Sequence, residues 1–486
     1  MENIDIILVG CGPTSAVLAN LLAPYGWRIA IFEKDVEIYD LPRAVFFDDE
    51  IMRIFQQIGL SNDIIKDTNQ VHGMQLLNAD GEMLAEYIAE TTPESSGWYA
   101  GYMFHQPTLE KILRNGLKRF SNVTLHPGVE VSKITQLNQS VMVEVVTKTG
   151  SLNYSSKYLV GCCGARSITR SVIETNIQDF HADQSWIVID IELLKDVRLP
   201  KYTVQYCNPL RPSTFIPTPG PFRRFELMLM PGESAEQMLR PSKISELLAQ
   251  WLAPEDYQIT RSAIYQFHAL IAEKWRSGSI LIAGDAAHQM PPFLGQGMCS
   301  GIKDAANLSW KLDAVLKGSA SPKLLDTYEA ERKPFVEEVI RADLWLSDMI
   351  QTTNPLLANE RDAKLLNASP ANKKLSPPKI KLGGNFCQQK EPSGAPFIQP
   401  LLPDGILYDT KLGNGFAIIG DVLISNSSEE LLKEFAIKKI MRPPLDIQTW
   451  LNKHNAKAVL VRPDRYVQAI LTVDSNLQEI LESLKQ

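Results

Sequence analysis

Residues Ile4 to Val9 form a nearly unbroken apolar run that ends on Gly10-Cys11-Gly12-Pro13-Thr14-Ser15. A strand this apolar, followed at once by a glycine turn, calls for a parallel sheet covered on both faces. Val17, Leu18, Leu21 and Leu22 follow at helical spacing, and Pro24-Tyr25-Gly26 stops that helix. Arg28 to Glu33 then reads as the second strand of a βαβ unit. Glu33 falls about 20 residues past the glycines, where an acidic ribose ligand is expected. Gly10 permits the tight turn, Gly12 lets the backbone approach a pyrophosphate, and Ser15 is small enough for helix and strand to pack. Helix amides starting near Pro13 would point at the negative charge.

A second glycine-bearing segment lies past the middle of the chain. Ser279 to Ala283 reads as a short apolar strand delivering Gly284-Asp285-Ala286-Ala287-His288. Pro291-Pro292-Phe293-Leu294-Gly295-Gln296-Gly297 follows, then a helix over Gly301 to Leu316. An aspartate at that strand end suits ribityl hydroxyls, and the helix-start amides suit the flavin N1 and C2 carbonyl, where charge accumulates on reduction. The two segments together imply FAD. A nicotinamide dehydrogenase would use the first alone.

At 486 residues two or three domains are expected. The net charge of −7 offers no field for a phosphate backbone, so nucleic acid is not an expected partner. No apolar stretch is long enough to span a bilayer, so no integral membrane association is expected. The start of the chain lacks a secretory pattern, and six scattered cysteines show no metal-ligand spacing. A reduced, cytoplasmic setting without a metal is the expectation. Helical periodicity returns at Asp49 to Ile58 and Thr108 to Phe120, and Val123 to Val146 alternates as antiparallel strands do. Lys157 to Cys162 reads as a buried strand. Trp186 to Phe267 is β-rich and reads as a substrate layer. Thr352 to Lys381 has a connector's composition. An αβ module follows, with Gly415 to Gly420 and Lys457 to Val461 as strands and Glu429 to Ile437 as a helix.

Several of these segments carry a more specific resemblance. Leu41-Pro42-Arg43-Ala44-Val45 with Asp48-Asp49-Glu50, the run from Gly284 through Met298, and Asp304 through Leu312 resemble the single-component FAD-dependent aromatic hydroxylases of the para-hydroxybenzoate hydroxylase fold. Arg211-Pro212, Arg223-Arg224-Phe225-Glu226 and Val461-Arg462-Pro463-Asp464-Arg465-Tyr466 extend the likeness over almost the whole chain, nearest to the 3-(3-hydroxyphenyl)propanoate hydroxylase branch. The implied fold is α/β: a Rossmann-like FAD-binding domain, a β-rich substrate domain and a C-terminal thioredoxin-like domain. Its implied bounds are 1–70, 101–180 and 270–350 for the FAD-binding domain, and 71–100 with 181–269 for the substrate domain. A connector over 351–384 and the thioredoxin-like domain over 385–486 complete it. With Cys387 its only cysteine, that last domain has no CxxC and no dithiol chemistry.

The resemblance implies a monooxygenase that hydroxylates a phenolic aromatic through a flavin C4a-hydroperoxide, using O₂ and NADH or NADPH. By the same likeness Gly10, Gly12, Thr14 and Ser15 would hold the pyrophosphate. Glu33 and Lys34 would meet the adenosine part, and Asp285 the ribityl chain. Arg43 would lie beside the phosphates and the nicotinamide approach, and Gln106 beside the flavin. Pro291, Gly295, Gln296, Gly297 and Met298 would complete the cofactor site. His288, Pro291 and Phe293 are pocket candidates with no assigned catalytic role, and Arg211 and Arg224 are substrate candidates. The likeness admits a homodimer. The aromatic substrate and the choice between NADH and NADPH stay open.

In one place the chain departs from the family. Relatives carry Asp-Gly where this chain reads Cys163-Gly164, so a thiol replaces a charged acceptor in a segment that helps arrange the nicotinamide site. That leaves an alternative open, a flavin-binding scaffold of the same fold with impaired nicotinamide use. The other reading is that neighbouring backbone groups compensate.

Overall fold

The computed structural model describes residues 4–38, 43–148, 150–369, 371, 373–375, 381–382, 391–422 and 425–485. Its first sheet has eight strands, five of them parallel neighbours in the spatial order Ile280–Ile282, Gly150–Gly161, Ile4–Val9, Ile29–Glu33 and Val123–Pro127. Register aligns their ends: Val9 pairs with Gly161 and Phe32, and Gly161 pairs with Ile282. Gly10, Cys162 and Ala283 therefore leave the sheet side by side at its carboxyl edge. That crevice is where open α/β sheets place ligands.

The alternating stretch after Val123 needs a correction. Glu130–Gln136 and Val141–Thr147 are antiparallel to their neighbours, but Val123–Pro127 runs parallel to Ile29–Glu33. Alternation reports burial on one face only, and an outer strand of a parallel sheet meets that condition as well.

The second sheet has seven strands, in the order Tyr257–Phe267, Gln184–Leu193, Phe222–Met228, Ser213–Ile216, Thr203–Tyr206, Gly73–Leu77 and Met83–Ile88. Ile187, Ile189, Phe225 and Leu227 bury one face against the helix Pro241–Leu248. Because side chains alternate along a strand, Trp186, Val188, Arg224, Glu226 and Met228 point the other way. That second face meets the nucleotide domain: Trp186 and Met228 cluster with Phe293.

The helix Gly297–Lys317 lies between Pro13–Leu22 and Asp326–Gln351. Its far end reaches the C-terminal module, where Trp310 packs edge-on against Phe416 at 5.3 Å. That module runs strand Ala417–Gly420, helix Asn426–Glu434, strand Lys438–Ile440, helix Leu445–Lys453, strands Ala458–Val461 and Val467–Leu471, and helix Leu477–Ser483. The first two strands are parallel and the last two antiparallel, which is the thioredoxin-like arrangement. Cys387 lies outside the described residues.

The connector is more ordered than its composition suggests. A helix spans Pro355–Leu366, with Pro355 in its first turn and the Asn354 side chain accepting from the Leu356 amide. Both are helix-start signals, and the polar composition around them concealed the helix. Among the described residues no helix is long and apolar enough to cross a membrane, and no group of three or more His, Cys, Asp or Glu is placed to hold a metal.

Candidate cofactor and substrate site

Backbone geometry at the first strand end is set by Gly10. Its φ is +90°, and a Cβ there would stand 2.7 Å from the Cys162 carbonyl oxygen, so only glycine fits. Gly12 differs: a Cβ on it would meet nothing within 4 Å. Gly12 caps Pro13–Leu22 with no side-chain acceptor, leaving the first amides open to a ligand. Glu33 fastens this turn, its Oε2 accepting from the Cys11 amide at 2.6 Å and its Oε1 from the Asp35 amide at 3.0 Å. Lys34, next along, is exposed. Ser15 is fully buried, and its Oγ has no hydrogen-bond partner among the described residues.

The second segment closes on the first through Thr14. Gly284, at φ +61°, and Gly301 both press against that side chain, with no room for a Cβ on either. Beneath them Asp304 is fully buried. Its Oδ2 accepts from the Gly284 amide at 3.1 Å and lies 2.7 Å from His288 Nε2, while Oδ1 accepts from Arg332 Nε at 2.8 Å. Burial opposes ionisation of Asp304, but the His288 and Arg332 charges outweigh it and hold the carboxyl below its ordinary range. His288 is thus turned into the core, 5.4 Å from the Trp275 ring. Asp285, by contrast, is exposed. The enclosing protein raises its pKa, against the His288 and Arg43 charges.

The chain then builds a wall. Pro291 is buried, and Phe293 sits edge-on to Trp186 at 5.4 Å and to Phe267 at 6.3 Å. Gly295, at φ +67°, backs onto Phe46. Gln296 caps the 21-residue helix with no side-chain hydrogen bond, so the amides from Gly297 onward are also unclaimed, with Met298 half-buried beside them. Asp343, on Asp326–Gln351, holds this wall by accepting from the Leu294 amide at 3.2 Å. Nothing local in the sequence marks Asp343. It sits mid-helix, and burial pushes its carboxyl up.

A third group joins the two domains. Gln106 Oε1 accepts from the Arg43 and Ala44 amides, both at 2.7 Å, and its Nε2 donates to Glu110 at 2.8 Å. Arg224 Nη1 donates to the Arg43 carbonyl at 2.9 Å, and its Nε and Nη2 grip Asp190 at 2.7 and 3.0 Å. Arg211 grips Glu233 in the same forked way, at 2.9 and 2.5 Å. Both substrate candidates thus have their guanidinium forks engaged within the protein. Cys163 Sγ lies 3.0 Å from Ser167 Oγ and 3.6 Å from Thr169 Oγ1.

These features fit FAD. Side-chain caps vary along the chain: Asp48, Ser167 and Asn354 supply one, whereas Gln106–Leu117 and Pro241–Leu248 start without one. The two helices that meet at the carboxyl edge of the sheet have no such cap, and a Cβ-free approach at Gly12 lies beside them. Uncapped amides at adjoining helix starts are an anion and carbonyl-oxygen site.

Comparison with known proteins agrees with this geometry. A family model described as an FAD binding domain matches residues 3–343. A probable NADH-specific resorcinol 4-hydroxylase from Rhodococcus jostii (strain RHA1) is 35% identical, over 96% of this chain and 92% of its own length. A 3-(3-hydroxy-phenyl)propionate/3-hydroxycinnamic acid hydroxylase from Escherichia coli (strain K12 / DH10B) is 31% identical over the same shares. Among solved structures, aklavinone-11 hydroxylase with FAD and aklavinone superposes over 100% of both chains with a TM-score of 0.82 at 22% identity, a likeness of fold. The chain belongs to this FAD-binding family, as a flavin-dependent aromatic hydroxylase.

Proposed function

We propose that the protein hydroxylates a phenolic ring with FAD, O₂ and a nicotinamide donor, and that the donor is NADH. The observation that carries this is the pair of uncapped helix starts joined across Thr14, roofed by the second sheet through Phe293. The R. jostii relative, described as NADH-specific, supports the choice of donor. When bound, FAD supplies hydride acceptance and activation of O₂.

The protein's own residues bind, orient and exclude water. Amides beyond Gly12, with Gly10, Thr14 and Ser15 shaping the turn, hold the pyrophosphate, and Glu33 with Lys34 faces the adenosine. Asp285 takes the ribityl hydroxyls. Pro291, Gly295, Gln296, Gly297 and Met298, together with Arg43 and Gln106, would hold the flavin. His288 acts as a positioning residue through Asp304, which holds the Gly284 amide. Phe293, Trp186 and Phe267 pack into an aromatic wall that would exclude water from the bound substrate. Cys163 does not favour the scaffold alternative, because its thiol is taken up by Ser167. The free cysteines among the described residues suit a cytoplasmic setting.

Purified protein tests this directly. It should carry a flavin spectrum, and a phenol should stimulate NADH oxidation with O₂ uptake and yield a product one oxygen heavier by mass spectrometry. A flavin-loaded preparation that makes no hydroxylated product from any phenol would reject the reading.

A further inference from the structure

The segment that builds the aromatic wall has little backbone of its own to hold it. It leaves the strand His288–Gln289 and enters the long helix at Gly297. In its central stretch, 291–295, Pro291 and Pro292 carry no amide hydrogen, which leaves those of Phe293, Leu294 and Gly295. Gly295 donates to the Pro292 carbonyl at 2.9 Å, a turn within the segment. Leu294 donates to Asp343 Oδ1 at 3.2 Å, and the Phe293 amide bonds to the same carboxyl. One side chain on the helix Asp326–Gln351 thus takes the amides on either side of the Phe293 side chain, and so fixes the direction in which that ring leaves the chain. Phe293 is also where the wall meets the second sheet, edge-on to Trp186 and Phe267.

Packing alone does not call for an acid at this position. Asp343 is fully buried, and Leu346 and Ile350, on the same side of its helix, cluster with Phe293, Trp186 and Met228. An apolar residue would continue that stripe. Instead the carboxyl leaves Oδ2 without a hydrogen-bond partner among the described residues, and Ser347 Oγ, one turn on, has none either. An acceptor kept in the core at such cost is explained by the groups it does bond, and here these are the two wall amides. Burial also pushes the carboxyl toward its neutral form, which asparagine resembles in shape and charge.

We propose that Asp343 is the positioning residue of the substrate wall: its hold on the Phe293 and Leu294 amides sets where the Phe293 ring stands, and with it the affinity of the site for a phenolic ring. The inference rests on the hydroxylase reading above and deepens it.

The test uses the full-length, FAD-loaded protein, oxidised and without NADH, so that binding is read apart from turnover. Resorcinol and 3-(3-hydroxyphenyl)propanoate are titrated against the flavin absorbance of the unaltered protein, Asp343→Leu and Asp343→Asn. Asp343→Leu keeps the branched shape but loses both acceptor bonds, and should weaken phenol binding about tenfold while FAD affinity stays within about threefold. Asp343→Asn keeps an acceptor oxygen, and should return phenol affinity to within about threefold of the unaltered protein. A role in packing alone predicts the reverse order, because leucine suits an apolar core better than asparagine. Equal affinity in all three proteins, or weaker binding in Asp343→Asn than in Asp343→Leu, would overturn the proposal. If Asp343→Leu does not hold FAD, Phe293→Leu decides in its place: with the acceptor bonds intact and the ring gone it should show the same loss of about tenfold, and unchanged affinity would overturn the proposal. Binding of neither phenol to the unaltered protein would count against the hydroxylase reading itself.

Discussion

Thr14 Oγ1 lies 2.5 Å from the place a Cβ on Gly301 would occupy, so one hydroxyl sets the distance between the two helices that face the cofactor. The same oxygen stands 2.8 Å from a Cβ position on Gly284. Segments nearly three hundred residues apart in the chain thereby share a single contact point.

Gly301→Ala should force these helices apart, because its neighbours include the Gly284 backbone at 3.1 Å, which has nowhere to go. Overpacking of this kind costs about 1–3 kcal/mol. We expect a lower melting temperature together with FAD affinity reduced about tenfold or more, read by flavin release during gel filtration. Retention of FAD at the unaltered level would show that the contact is not limiting.

Gly12→Ala should behave in the opposite way. The position has open space around it and a φ of −78°, so alanine fits the empty fold. The melting temperature of the FAD-free protein should stay within about 0.5 kcal/mol of equivalent stability. FAD affinity should nevertheless fall about tenfold or more, since the methyl group occupies the pyrophosphate's line of approach.

The legibility of these features in sequence followed their physical range. Local signals read well: the Ile4–Val9 run, the Gly10 turn and Glu33 all act within one βαβ unit, and each lies where periodicity and spacing put it. The strand direction of Val123–Pro127 did not read, because an alternating pattern encodes burial and not the identity of the neighbour. Arg211 and Arg224 looked available from residue type alone. Only the fold brings Glu233 and Asp190 to their forks. Asp343 was similarly silent, since a carboxylate becomes unusual only when distant segments bury it.

Cys163→Asp tests how far the thiol weakens use of the nicotinamide donor. The loop is already held by Ser167 and by Arg170, which donates to the Ala286 carbonyl at 3.1 Å and the Ala165 carbonyl at 2.7 Å. Restoring a carboxylate adds an acceptor to a loop that is anchored without it. The rate of anaerobic flavin reduction by NADH, followed by stopped flow, should change by less than about threefold, under 1 kcal/mol in barrier. An increase of about tenfold or more would show that the thiol limits reduction.

Glu331 gives the protein an acid limit that runs through its C-terminal module. Its Oε2 meets Arg462 at 2.9 Å, Lys311 at 3.0 Å and the Asn307 amide at 2.8 Å, fastening the helix Gly297–Lys317 to the segment after Val461. Burial opposes the charge of Glu331, but Arg462 and Lys311 outweigh it and bring its pKa to about 2. A carboxyl depressed from an unfolded value of about 4.3 contributes stability that is complete above that value and is lost as pH falls toward 2, about 3 kcal/mol in all. Glu331→Gln should remove this portion of the acid dependence. It should also destabilise the protein at neutral pH by about 3–5 kcal/mol, because Arg462 and Lys311 stay buried with one counter-charge fewer. Urea midpoints measured from pH 7 to pH 2 in both proteins check this. Parallel pH profiles for the two would refute the assignment.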